Sequence, residues 1–68
     1  MKAPHQMTLE ELAQELQSRG YHTRSRLPVD ENFPTSKYIV ISPHSEKYGF
    51  NSRLAVATFV LKVQQGRV

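Results

Sequence analysis

The chain has no cysteine. That absence removes disulfides and thiolate zinc sites as staples, so packing or a partner must hold the chain together. It also fits a reducing, cytoplasmic setting, which is the expected location. There is no glycine-rich phosphate loop, no serine nucleophile elbow and no paired-carboxylate motif, so no familiar catalytic template is written here. Apolar runs are short. Met1 to Gln6 lacks the apolar stretch of a signal peptide, and Leu54 to Leu61 is broken by Thr58 and too short to span a bilayer. The histidines His5, His22 and His44 have no ligand-like spacing. No metal or other cofactor is expected.

Acid is missing locally. From Arg19 to Arg26 there are three arginines and no Asp or Glu, and from Lys47 to Arg67 the charges are Lys47, Arg53, Lys62 and Arg67 alone. The acids gather in Glu10, Glu11 and Glu15, and in Asp30, Glu31 and Glu46. The net charge is +3, a modest excess that says less than its distribution. Sixty-eight residues make one small domain, of a size that buries only about 60% of its unfolded surface. Residues 8–66 are expected to form that domain, behind a flexible lead-in of residues 1–7.

The first helix is the most legible element. Thr8 and Glu11 have capping-box spacing, Met7 and Leu12 occupy the staple positions, and Leu9, Leu12, Ala13 and Leu16 form one stripe. Gly20 falls just past the end, so the pattern predicts a helix over 8–19. Tyr21 to Leu27 reads as a strand and Pro28 to Ser36 as a loop, with Phe33 either an anchor or an exposed contact. Lys37 to Ser42 is a β-branched strand with apolar residues on both faces. A turn at 43–47 leads to a short third strand at 48–50.

Residues 54–63 fit two patterns. A strand would place Ala55, Ala57, Phe59, Leu61 and Val63 on one face. A helix would leave Thr58, Lys62 and Gln65 as its polar stripe. Asn51 or Ser52 as a cap and Gly66 as a stop favour the helix. The resulting expectation is an α+β two-layer sandwich, with two helices on one face of an antiparallel sheet.

Gly49-Phe50-Asn51-Ser52-Arg53, leading into an alanine-bearing helix, resembles the entry to the last helix of the double-stranded-RNA-binding fold. The element order is similar to that fold and to the small toxins that share it. The lysine pair at the helix start and the toxins' glycine-serine-histidine cluster are absent. The resemblance therefore implies a topology and no activity.

Read as a strand, Tyr21 to Leu27 puts His22, Arg24 and Arg26 on one face, about 6–7 Å apart. Such a row suits an anionic polymer, with arginine forks on phosphates and Arg19 joining from the helix end. Its plainer reading is a charged edge strand guarded against aggregation. Lys47 and Arg53 flank the second helix start, where free amides favour phosphate. Tyr38, Tyr48 and Phe50 are stacking candidates if exposed. The leading expectation is a small nucleic-acid-binding protein, DNA or RNA, of the kind phages and mobile elements carry as regulators. Arg19, His22, Arg24, Arg26, Lys47 and Arg53 would hold the phosphate backbone.

A helix apolar round most of its circumference needs a second cover. The candidates are a homodimer through Val56, Phe59, Val60 and Val63, or loop 28–36 folded over that face. The alternative function is a protein-interaction module or small inhibitor, docking through this helix or the sheet edge. RNA cleavage by His22 or His44 with Arg24 or Arg26 is a third reading, for which nothing orders the groups toward each other.

Overall fold

The computed structural model describes residues 2–67. Helix α1 runs Leu9–Ser18, strands β1, β2 and β3 run His22–Ser25, Tyr38–Ile41 and Lys47–Phe50, and helix α2 runs Arg53–Gln64. The strands form one antiparallel sheet in the order β1-β2-β3. The expected α+β architecture is the one found, with the last segment a helix.

Both helices owe their ends to the chain's punctuation. The Thr8 hydroxyl accepts from the Glu11 N–H at 3.2 Å, and the Glu11 carboxylate accepts from the Thr8 N–H at 3.0 Å. This reciprocal capping box satisfies two donors that the helix leaves open. At the other end Gly20 adopts φ +87°, while Tyr21 N–H donates to the Leu16 carbonyl and Gly20 N–H to that of Gln17, both at 3.0 Å. That Schellman turn returns Tyr21 onto the core. On α2, the Ser52 hydroxyl accepts from the Ala55 N–H. Gly66, at φ +71°, closes it with a second Schellman turn, Arg67 N–H to the Lys62 carbonyl at 2.9 Å and Gly66 N–H to that of Val63 at 3.1 Å.

Register divides the sheet into two faces. Thr23, Ser25, Tyr38, Val40, Tyr48 and Phe50 alternate with His22, Arg24, Ile39, Ile41, Lys47 and Gly49. The first set lies toward the helices, where Val40 joins Leu12, Leu16, Tyr21, Val56, Ala57, Phe59 and Val60 in the core. Phe59 is the hub. Its ring centroid lies 5.7 Å from Tyr21, 5.0 Å from Tyr48 and 5.2 Å from Phe50, distances at which aromatic pairs add to simple burial.

Two expectations need correcting here. The lead-in is not loose from Pro4 onward: Pro4–Gln6 is a 3₁₀ turn packed against α2, with Pro4 buried. (Met1 lies outside the described residues.) Arg53 donates to the carbonyls of His5 at 3.2 Å and Met7 at 2.9 Å, tying this turn to the start of α2. The second cover of α2 is therefore α1 and the N-terminal turn. Val56, Phe59 and Val60, expected at a dimer interface, are buried in the chain's own core, and Val63 packs partly buried against it. Loop 28–36 covers the opposite side of the sheet instead. Among the described residues no helix is long and apolar enough to cross a membrane.

One core-facing group lacks a partner. The Thr23 hydroxyl oxygen is buried with no hydrogen bond among the described residues. An unsatisfied buried hydroxyl carries its desolvation cost without return, and valine keeps its shape and strand preference. Thr23→Val is expected to stabilise the domain by about 1 kcal/mol, a melting-temperature rise of roughly 4–8 °C at this size. A lower melting temperature by circular dichroism would show that the hydroxyl earns its place.

Candidate binding surface

The outer face of the sheet carries the cationic row as its alternation requires: His22, Arg24 and Lys47 are on it, with Ile39 at the centre. Ile39 is nevertheless fully buried. Loop 28–36 folds across it in successive turns, Asp30 N–H to the Leu27 carbonyl, Phe33 N–H to that of Asp30 and Ser36 N–H to that of Phe33. Phe33 lies over Gly49, where a Cβ would collide with the Phe33 ring and the Ser36 hydroxyl. Only glycine permits so close an approach.

Asp30 fastens this loop. Its side chain is wholly buried, and its carboxylate accepts a bidentate pair from Arg24 at 2.6 and 2.9 Å. It also accepts from the Leu27 N–H at 2.9 Å and the Lys47 ammonium at 3.1 Å. Arg24 and the Leu27 N–H, with Lys47 behind them, hold the Asp30 carboxyl well below the usual carboxylate range. A buried carboxylate is tolerated only with such complete pairing. Arg26 adds a 2.6 Å hydrogen bond from Nε to the Phe33 carbonyl.

The residues expected to bind phosphate are thus engaged with the chain itself. Arg24 and Lys47 share Asp30, Arg26 holds Phe33, Arg19 pairs with Glu15 at 3.0 Å and Arg53 holds the N-terminal turn. His22 is exposed and takes part in no ion pair among the described residues. Lys47 does stand beside the row. Arg53 does not, because it faces the N-terminal turn. Tyr48 and Phe50 are half-buried against Phe59, so they serve the core first. No group of three potential metal ligands occurs among the described residues.

Sequence reasoning offered a sheet edge as a docking surface but could not say which edge or what lines it. An open cleft of about 470 Å³ runs along β3, lined by Phe33, Tyr48, Gly49, Phe50 and Phe59, with Lys47, Lys62 and Arg67 at its border. β3 is an edge strand. Its bonds toward β2 involve the alternate residues: the Glu46 carbonyl accepts from the Ser42 N–H and the Phe50 carbonyl from the Lys37 N–H. By the alternation of antiparallel ladders, the main-chain groups of Lys47 and Gly49 point away from the sheet. Phe33 forms one wall of the cleft and the end of α2 the other. Gly66 was legible as a helix stop, and its Schellman turn is the signal that would have brought Arg67 back to Lys62.

Set against protein-family models, curated proteins and solved structures, the chain finds no match in any of the three.

The Asp30 clamp is testable by itself. Asp30→Asn leaves Arg24 and Lys47 facing one another without their counter-charge, and is expected to lower the melting temperature by roughly 10 °C or more. A carboxyl depressed by folding contributes stability above its unfolded pKa of about 3.9, and that contribution is lost as pH falls toward the folded value. Melts from neutral to acid pH should therefore show wild type losing stability below about pH 4, and the variant losing distinctly less. Superimposable curves would show that the clamp is idle.

Proposed function

We propose that this chain is a protein-interaction module that receives an extended segment of a partner along β3. The observation that carries this reading is the cleft beside a sheet edge, with an apolar floor and outward main-chain groups at Lys47 and Gly49. Strand addition uses those features: main-chain bonds supply affinity, and pockets for alternate side chains supply selectivity. Edge strands guarded against aggregation are short, twisted or bulged, rich in charge, or covered. This edge is charged only at Lys47 and lies next to half-buried aromatic surface.

Phosphate-backbone binding is the competing reading, and the commitments of Arg19, Arg24, Arg26, Lys47 and Arg53 weigh against it. Arg24 and Lys47 together carry two positive charges against the single negative charge of Asp30. Arg26 and Arg53 keep their charge beside neutral carbonyls but are held in place.

Selection of a random decapeptide display library on the immobilised domain tests the proposal. Recovered peptides should be rich in β-formers, compete for one site, and perturb amide signals of residues 47–50 in a ¹H–¹⁵N spectrum. Duplex DNA and duplex RNA should show no binding at low salt. Failure to recover peptides, with duplex binding whose log–log salt slope is about 0.9 per phosphate, would replace this reading with the nucleic-acid one.

A further inference from the structure

Resting on the docking reading, we infer that the segment received along β3 is acidic, its carboxylates meeting Lys62 and Arg67. These two cations line the cleft, no acid does, and neither is in an ion pair among the described residues. The third cation, Lys47, turns its ammonium to Asp30 on the outer face. Charge complementarity therefore selects an anionic occupant on the α2 side of the cleft.

Local backbone geometry sharpens the point. A Schellman turn ordinarily brings an apolar residue just past the glycine back against an apolar residue in the last helical turn. Here those positions are held by Arg67 and Lys62, linked by the 2.9 Å Arg67 N–H to Lys62 carbonyl bond. Two like charges replace a hydrophobic contact. The helix C-terminus offsets them by only about half a negative charge, so the end of α2 keeps net positive charge. A carboxylate there would complement it.

The shape of the cleft favours a peptide over a single nucleic-acid strand. The Tyr48 and Phe50 rings are tilted 41° and 49° against Phe59, and both pack on the core. They do not offer successive flat faces for stacked bases. A peptide strand at this edge directs alternate side chains toward α2 and toward Phe33, by its period of two. Acidic residues facing Lys62 and Arg67, alternating with apolar ones facing Phe33, match the two walls.

The probes are capped octapeptides alternating valine with glutamate, glutamine or lysine, together with a deca-thymidine oligonucleotide, titrated by fluorescence anisotropy. Wild type should prefer the glutamate peptide over the lysine peptide roughly tenfold, as two partly exposed ion pairs allow. The preference should shrink with added salt. Lys62→Glu with Arg67→Glu should invert it, and Lys62→Gln with Arg67→Gln, a milder pair in case the first does not fold, should abolish it. Equal affinity for all three peptides would overturn the acidic preference and leave docking at β3 standing. No binding by any peptide would remove the docking reading itself. Oligonucleotide binding that depends on Lys62 and Arg67 would overturn the peptide in favour of a nucleic-acid strand.

Discussion

A single carboxylate organises one whole side of this domain. Asp30 joins Arg24 on β1 to Lys47 on β3 and caps the Leu27 N–H, so it spans the sheet from edge to edge over the buried Ile39. A three-stranded sheet with helices on one face leaves its other face wet, and a chain this short has little apolar material to cover it. Loop 28–36 supplies that cover, and the clamp supplies what its polar composition does not. Buried ion pairs are costly to form and more costly to break from one side. Because Asp30 is wholly buried while Arg24 and Lys47 are partly exposed, losing either partner is expected to cost more than the net worth of the pair.

The fate of the basic row follows. A row of alternating cations on an open sheet face would face solvent and polyanions. With the loop in place, Arg24, Arg26 and Lys47 all have internal acceptors. Among the described residues, Lys62 and Arg67 beside the β3 edge are in no ion pair, and on the side of the row His22 and Lys37 are likewise exposed and in none. Net positive charge alone does not locate a binding surface; the pairing state of each cation does.

The sequence made the local structure legible where single residues decide it. The Thr8–Glu11 box, the Gly20 stop and the Ser52 and Gly66 bounds of α2 are short-range devices, and each is where its spacing puts it. The alternation of His22 and Arg24 onto one face was equally readable. Long-range pairing was not. Asp30 lies six residues from Arg24 and seventeen from Lys47, separations with no periodicity to reveal them. Arg53 reaches back forty-six residues to Met7, so the lead-in looked idle. The cleft was hidden for the same reason: Phe33, Gly49, Phe59 and Arg67 meet only once loop, strand and helix have packed.

Phe59 couples the two halves of this picture. It is the hub of the aromatic cluster that holds α2 on the sheet, and its remaining surface is part of the floor of the proposed docking cleft. A domain of this size has too few large side chains to keep a separate set for recognition. Core and proposed docking cleft therefore share residues, and the facing wall, Phe33, is held by the Arg26 bond and the Asp30 clamp. Filling the cleft would bury more of Phe59 and Phe33 together, and would stabilise the folded state in proportion to occupancy. On the docking proposal, a partner segment would extend the aromatic cluster around Phe59 that the core already holds.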